Sequence, residues 1–410
     1  MAISVTTSGT PREIYTHKTI AITSSPKTGE KTFEHMKEEI EMLKSRYNIV
    51  VIAVISDAAG EAAKARRLLR AWRPELLTVD CFSHQFNLSV GDYLNKKKTD
   101  HIYLDTVADA IDMASWWIKH SVPHGMLLEK QITVLGKTSA LTSPVVTRWG
   151  SHYNAFKQLL QSERSIELLI LEKREELLKS VGKQKASREL AEKILDLCEN
   201  STFWAMLRVV LGHLGPLLIA VRAVESEQTK LDRVLKLLGF LHQHFSGVLD
   251  GQVKKVMLDG LEKRFADYDQ PALLIAYMLN PQRQQQFLNP NCDFVSWRNA
   301  VILVELLYIR FFPDATDASK SAVANQFLSY INKEDPFDER TLNFACKPGR
   351  SPERLWNMVK KDAPELSQLA LRLMGIAVNS AGCERLFSQM GLTHTKVRNR
   401  LGHAKVTHIA

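Results

Sequence analysis

Near the C-terminus, residues Asn379–Ser388 read NSAGCERLFS, and Lys396–Leu401 read KVRNRL. In the first of these segments, small capping residues lead directly into an apolar spacing of Leu386, Phe387 and Met390, which is typical of the start of an amphipathic helix. The sequence therefore predicts a capped helix close to the end of the chain, followed by a basic run.

Glu384 falls in the first turn of this predicted helix. A carboxylate at that position is stabilised by the positive end of the helix dipole, so the spacing alone favours a helix-start acid with no further role. The alternative is a catalytic or metal-binding acid, which requires further carboxylates brought close to it by the fold.

The composition indicates a soluble globular protein. The chain has 410 residues, of which 45% are hydrophobic and 24% charged, so it exceeds one ordinary domain. The net charge of +9 favours a polyanionic partner such as nucleic acid, and a solvated basic surface is the equally weighted alternative.

Cysteine usage and hydropathy point to a cytosolic or nuclear protein. The five cysteines are scattered and never spaced as Cys-x-x-Cys, which favours reduced thiols over a disulfide framework. The longest apolar run, Ile49–Ile55, is far shorter than the ~20 residues of a membrane span. We therefore expect no membrane partner.

The N-terminal third alternates strand and helix patterns. Thr19–Thr23 is β-branched and predicts a strand, apolar residues at helical spacing follow, and Ile49–Ile55 is a continuous apolar run suited to a strand buried on both faces. This order predicts an α/β sheet with crossover helices. Asp57 directly follows the second strand, where open α/β folds place their chemistry, and is a candidate metal ligand; a helix N-cap is the alternative.

A second strand-to-helix junction lies at Val79–Leu88 and contains Cys81 and His84. The spacing of this pair could ligate a metal, but a closed structural zinc site needs four protein ligands and the sequence shows no second pair with zinc-like spacing. The pair is therefore interpreted as structural.

The middle of the chain begins with a polar segment that contains Arg148 and Trp149. An aromatic ring beside a guanidinium can stack on a nucleotide base, whereas the plain alternative is a core tryptophan that opens the next helix. From Tyr153 to about Phe287 the apolar spacing is helical almost without a break, which predicts an all-α unit. Asp314–Ser351 is rich in turn-forming residues and predicts loops and short helices.

Four segments, in order, resemble the hAT family of DNA transposases: Ser56–Ala59, Cys81–Leu88, Thr147–Ser151 and Ser380–Ser388, the last followed by the Arg-Asn-Arg-Leu run. The resemblance implies a ribonuclease H-like α/β fold, with a mixed sheet interrupted by a large all-α insertion. It further implies an N-terminal part of that domain at residues 1–145, a helical insertion and connector at 146–345, and a C-terminal part with a dimerisation segment at 346–410.

The resemblance also implies a chemistry. In the family, three carboxylates hold two divalent metal ions, Mg²⁺ or Mn²⁺, for phosphodiester cleavage and strand transfer. By position Asp57 matches the second acid and Glu384 the third, so both are candidate catalytic residues and metal ligands. Arg148 and Trp149 match the residues that contact DNA near a flipped base, and Cys81 with His84 matches a motif beside the active site.

The family's first acid has no counterpart, because residues 1–56 contain no Asp and Glu13 is poorly placed. We therefore expect an N-terminally truncated or decayed member that is catalytically impaired, binds transposon-end DNA, associates with itself as a homodimer or larger assembly, and resides in the nucleus. Two alternatives stay open: an active metal-dependent DNA transposase, and a domesticated protein-interaction scaffold.

Overall fold

The computed structural model describes residues 1–7, 13–20, 26–144, 150–283, 288–289, 291–347 and 349–393. The protein is mostly helical with two small sheets in these ranges. The strands are β1 (Ala2–Thr6), β2 (Ile14–Thr19), β3 (Ala53–Ser56) and β4 (Leu77–Asp80). The helices are α1 (Gly29–Tyr47), α2 (Gly60–Trp72), α3 (Phe82–Leu94), α4 (Tyr103–Lys119), α5 (Ser121–Leu135), α6 (Gly150–Ser180), α7 (Lys185–Cys198), α8 (Ser201–Glu225), α9 (Leu231–Ser246), α10 (Gly251–Asp267), α11 (Gln270–Met278), α12 (Trp297–Phe311), α13 (Asp317–Asn332), α14 (Glu339–Ala345), α15 (Glu353–Met358), α16 (Pro364–Gly375) and α17 (Ala381–Thr393).

The two sheets have different topologies. β1 and β2 pair antiparallel, with a register shift between Ile3 and Ser4. β3 and β4 pair parallel, from Ala53 opposite Leu77 to Ser56 opposite Asp80, and α2 provides the crossover between them. This strand–helix–strand unit is of the α/β type, but among the described residues β2 and β3 lie in separate sheets, so the single mixed sheet stays a prediction.

The first predicted strand lies partly outside the described residues. β2 ends at Thr19, which is the first residue of the predicted strand, and residues 21–25 are not described. The N-terminal residues before it instead form β1, which pairs with β2 to make a hairpin.

The prediction of a strand over the whole of Ile49–Ile55 is wrong at its start. Asn48 ends α1 in the left-handed conformation, and the Ile49 N–H donates to the Leu43 carbonyl (3.1 Å), so this part of the apolar run completes a helix cap. Val50 is 59% exposed, and all four residues of β3 are half-buried rather than covered on both faces.

The loop-rich interpretation of Asp314–Ser351 is also wrong in part, because sixteen of these residues form α13. Thr316 caps this helix by accepting a hydrogen bond from the Ser319 N–H (3.2 Å). Its buried face carries Val323, Ala324, Phe327 and Tyr330 at helical spacing. The cap and the apolar face outweigh the turn-forming composition around them.

The chain divides into two compact units. Unit 1 comprises Met1–Gln85, Ala223–Gly239 and the described part of Lys263–Ala410, so it is assembled from both ends of the chain. Unit 2 comprises Phe86–Arg222 and Phe240–Glu262 and consists of helices. The domain boundaries given by the sequence stay a prediction.

Among the described helices, α8 is long and apolar enough to cross a membrane by length and composition. Half of the most apolar stretch of α8 is buried inside the protein, which is typical of a core helix. Its buried face includes Trp204, Leu207, Val210 and Leu214, so the apolar residues of α8 form part of the core.

Candidate functional site

The parallel strands β3 and β4 end side by side in unit 1. Ser56 lies opposite Asp80, and the hydrogen-bond ladder continues one step further because the Cys81 N–H donates to the Ser56 carbonyl (2.8 Å). The residues that follow both strands therefore emerge at one edge of the sheet, which is where α/β folds place ligand sites.

Asp57 follows β3 directly and is exposed. Its Oδ1 accepts a hydrogen bond from the Ala59 N–H (3.2 Å), so one carboxylate oxygen stabilises the turn that leads into α2. The N-cap of α2 is Ala59 and has no side-chain cap bond, so the N-cap alternative for Asp57 is wrong and its contact is a turn before the helix. Its assignment as a catalytic residue stays a prediction.

Glu384 lies in the first turn of α17, as the sequence predicts, and is exposed. Its backbone N–H donates to the Ser380 carbonyl (3.3 Å), which places it one helical turn after Ser380. The neighbouring Arg385 forms an ion pair with Glu227. As with Asp57, the catalytic assignment of Glu384 stays a prediction.

The segment before α17 docks on the junction between β4 and α3. The Phe82 N–H donates to the Val378 carbonyl (2.9 Å), and the Ser380 N–H donates to the Cys81 Sγ (3.4 Å). Cys81 therefore bonds through its backbone to Ser56 and through its side chain to Ser380. The backbone segments that carry Asp57 and Glu384 meet at this residue, although 299 positions separate Cys81 from Ser380.

Further contacts fix the start of α17. The Asn379 side chain donates to the Val224 (2.5 Å) and Ser226 (3.1 Å) carbonyls and accepts from the Ala381 N–H (3.0 Å). The Cys383 Sγ lies 3.3 Å from the Oγ of Ser4 in β1. The helix that bears Glu384 is thus held by β1, by the segment after α8, and by Cys81.

Arg66 is a functional residue that the sequence interpretation missed. Its side chain, 6% exposed, donates to the Ser56 side chain, to the Asp57 carbonyl (2.5 Å) and to the Asp80 carboxylate. It joins the ends of both parallel strands. The available signal was its position among Ala62, Ala65 and Leu69 on the buried face of α2, where a cation needs a partner.

Burial dominates the electrostatics of this ion pair. It lowers the pKa of the Arg66 guanidinium in spite of the nearby carboxylates of Asp80 and Asp57, and it raises the pKa of Asp80 in spite of Arg66. Both groups are shifted towards their neutral forms, so the desolvation cost exceeds the attraction between them. The contacts of the pair join the ends of β3 and β4.

The described side chains do not fit a two-metal centre. Among the residues described, no group of three or more His, Cys, Asp or Glu side chains is arranged to hold a metal ion. Asp80 is bound to Arg66, and nearby Asp269 is bound to Arg310 and caps α11 through the Ala272 N–H. Asp57 and Glu384 alone supply too few carboxylates for two ions.

The remaining predicted site residues have different outcomes. Cys81 is buried and His84 is half-buried in the first turn of α3. The contact of Cys81 with Ser380 gives that residue a structural role in linking distant segments. Arg148 and Trp149 lie outside the described residues, and their contact with DNA stays a prediction.

A second polar cluster lies within unit 2. The Tyr93 hydroxyl and His213 Nδ1 share a hydrogen bond (3.1 Å), and His101 Nε2 donates to the Tyr93 carbonyl (2.8 Å). Burial, with smaller effects from His244 and His101, lowers the pKa of His213 to about 4. Burial also lowers the pKa values of His101 and His244. This Tyr93 cluster is therefore neutral at physiological pH.

Comparison with known proteins identifies the C-terminal region. Residues 330–410 match the hAT family C-terminal dimerisation region, which contains α14–α17 and Glu384. The chain is also similar to zinc finger BED domain-containing protein 4 of Homo sapiens, with 20% identity over 345 residues, 76% of this chain. The match spans 27% of that relative's length. The C-terminal part of the chain therefore carries a region similar to the hAT dimerisation region, in agreement with the ordered motifs.

Proposed function

We propose that this chain is a transposase-derived DNA-binding protein that associates with itself and whose phosphodiester chemistry is impaired. The observation that carries the proposal is the meeting of the Ser56–Asp57 and Ser380–Glu384 segments at Cys81. In the proposal, Asp57 and Glu384 approach each other at this contact. The matched dimerisation region supports self-association, and the net charge of +9 supports binding to a polyanion.

The fold proposed for unit 1 is ribonuclease H-like. It is supported by the antiparallel β1–β2 hairpin, by the parallel β3–α2–β4 unit, and by an acid-bearing helix that returns after a helical detour. In this proposal Asp57 and Glu384 are two members of an acidic triad. At the end of β4, Asp80 is paired with Arg66 and is therefore not assigned to the third position.

The proposed roles of the chain's own residues are positional. Arg66 holds the ends of β3 and β4, Cys81 joins the two acid-bearing segments, and Asp57 and Glu384 would contribute ligands to Mg²⁺ or Mn²⁺ where a metal binds. When bound, such ions activate an attacking oxygen and stabilise the leaving oxygen. Two carboxylates would bind an ion weakly, which is why we propose impaired catalysis. Arg148 and Trp149 are proposed to contact DNA, and the protein is proposed to act in the nucleus.

A cleavage and strand-transfer assay on terminal-repeat DNA with Mg²⁺ or Mn²⁺ tests the catalytic part. We expect no product above background from the wild type or from Glu384→Gln. Product that depends on Glu384 would contradict the impairment and support an active transposase. Isothermal titration with Mn²⁺ gives a second measurement, because the wild type should bind no more than one ion and Asp57→Asn should weaken that binding.

Binding and assembly need separate measurements. We expect a labelled duplex to bind the protein with an affinity that falls steeply as salt rises, since released counterions drive the association. Light scattering should give a mass of at least two copies. No DNA binding at physiological salt, together with stable self-association, would instead support the scaffold alternative.

A further inference from the structure

One exposed aromatic ring in unit 1 is surrounded by cations. Phe344, at the C-terminal end of α14, is 40% exposed. The Arg350 guanidinium lies 4.1 Å from the centre of its ring, that of Arg354 lies 5.3 Å away, and the Lys347 ammonium lies 5.9 Å away. These four residues are called the Phe344 surface.

Hydrogen bonds from side chains to backbone carbonyls hold this surface in place. The Arg350 guanidinium also donates to the Phe344 carbonyl, which closes the loop between the two residues. The Gln282 side chain donates to the Arg350 carbonyl (2.5 Å), so the loop is tied to the segment that follows α11. The ring and its nearest cation therefore have a defined geometry.

The charge around this ring is unbalanced. Residues Lys347–Arg354, which surround the ring, carry three Lys or Arg residues and one acid, a net charge of +2. That acid, Glu353, is buried and paired with Lys230, so it does not neutralise the surface. Within the described residues, none of the three cations around Phe344 forms an ion pair with a carboxylate.

Cation–π contacts alone do not account for this grouping. Each contact is worth ~0.5–1 kcal/mol at an exposed site, and a single cation is enough to form one with the ring. Three like charges held around one ring repel each other and attract anions. A row of phosphates would neutralise all three, and the exposed ring offers a face on which an unpaired base can stack.

We propose that the Phe344 surface is a nucleic-acid contact, in which Lys347, Arg350 and Arg354 bind phosphates of the DNA backbone and Phe344 stacks on an unpaired base. This inference rests on the proposed DNA binding and locates part of it away from Asp57 and Glu384. It adds a contact within the C-terminal region that is matched for dimerisation.

The test compares two triple variants with the same change in net charge. Lys347→Gln/Arg350→Gln/Arg354→Gln removes the cations of the Phe344 surface. The control, Lys137→Gln/Lys183→Gln/Lys254→Gln, removes three exposed lysines of unit 2. Fluorescence anisotropy with labelled duplex and labelled single-stranded DNA is measured over a series of NaCl concentrations.

For the duplex we expect the slope of log K against log salt to fall by about 2–3 in the surface variant, since each phosphate contact contributes ~0.9. The control should keep the wild-type slope because it changes only the net charge. Phe344→Leu should weaken single-stranded binding about tenfold and leave duplex binding nearly unchanged, since stacking needs an unpaired base.

Thermal melting by circular dichroism checks that each variant is folded. If the triple variant melts early, Lys347→Gln/Arg354→Gln keeps the bond from Arg350 to the Phe344 carbonyl and should reduce the slope by about 2. Wild-type protein that binds no DNA would overturn the proposed function together with this inference. If the wild type binds DNA and the folded variant keeps the wild-type salt slope, the inference alone is overturned. A variant that loses only its self-association would also overturn it, because the surface would then be an interface between copies.

Discussion

The two units bury polar groups in opposite ways. In unit 1 a charged pair, Arg66 with Asp80, lies at the ends of two strands and beside exposed residues. In unit 2 the Tyr93 cluster is sealed among helices and is neutral, because burial lowers the pKa values of its histidines. The charged pair of unit 1 lies where two strand ends meet, whereas the Tyr93 cluster of unit 2 is held by packing and neutral hydrogen bonds.

The largest expected effect concerns the charged pair. Arg66→Met leaves the Asp80 carboxylate without its partner and should cost about 3–5 kcal/mol in the free energy of unfolding, measured in urea. Arg66→Met/Asp80→Leu should recover most of that loss, because it removes both desolvated charges.

The double-mutant cycle separates positioning from stabilisation. If the loss in the double variant equalled the sum of the two single losses, Arg66 and Asp80 would not be coupled and the contrast between the units would fail. A restored stability with weakened Mn²⁺ binding would confirm that Arg66 positions the strand ends.

The second prediction concerns the stability of unit 2 at acid pH. The pKa of His213 is lowered in the folded protein, so the unfolded protein binds a proton more readily. The stability contributed by the neutral His213 ring is therefore complete above pH 6.5 and is lost as the pH falls towards about 4. The loss amounts to up to about 3 kcal/mol. Asp250 faces the cluster and opposes the shift.

Urea unfolding at several pH values, followed by hydrogen exchange, checks this in unit 2. His213→Gln keeps an acceptor for the Tyr93 hydroxyl but cannot titrate, so it should flatten the pH dependence between 6.5 and 4. A variant with the wild-type pH profile would show that the cluster does not set the acid sensitivity.

A smaller effect should distinguish two buried cysteines. Cys81→Ala removes the acceptor of the Ser380 N–H and leaves a small void, so it should cost about 1–2 kcal/mol. Cys198→Ala, in the core of unit 2, is the matched control for the void.

Hydrogen exchange measured by mass spectrometry provides the readout. We expect Cys81→Ala to raise exchange in the first turn of α17, and Cys198→Ala to leave that turn unchanged. Equal exchange of the α17 amides in both variants would mean that Cys81 does not link the two acid-bearing segments.

The smallest effect is expected at the two predicted acids. Asp57→Asn keeps an oxygen for the Ala59 N–H, and Glu384 is exposed, so Asp57→Asn and Glu384→Gln should each change the free energy of unfolding by less than about 0.5 kcal/mol. Urea unfolding measures this. A loss above 2 kcal/mol in either variant would give that acid a structural role and weaken the proposed site.

Local patterns in the sequence predicted the elements that carry the site. The strand-to-helix junction at Cys81, the helix at Glu384 and the long helical region follow from caps, β-branched runs and apolar spacing, and the structure has all three. The family resemblance, in turn, came from motifs at these same junctions.

The missed features depend on long-range contacts. The bonds from Arg66 to Ser56 and Asp80 cannot be read from periodicity, which marks Arg66 only as an anomaly on an apolar face. The start of the Ile49–Ile55 run was misassigned because its composition suits a strand, and only the left-handed Asn48 shows that α1 ends there. The pairing of β1 with β2 was missed although the turn-forming residues Ser8, Gly9 and Pro11 separate the two strands, because local composition does not show which strands pair.

The link from Cys81 to Ser380 has a consequence for biosynthesis. A ribosome adding about 5–20 residues per second needs roughly 15–60 s to make the 299 positions between them, so β3 and β4 emerge long before their partner segment exists. The helices of unit 2 can settle during that interval, since most of their contacts are close along the chain. Nascent unit 1 would have to wait with the junction between β4 and α3 uncovered, and an arrested translation product would never form the bonds from Phe82 to Val378 and from Ser380 to Cys81.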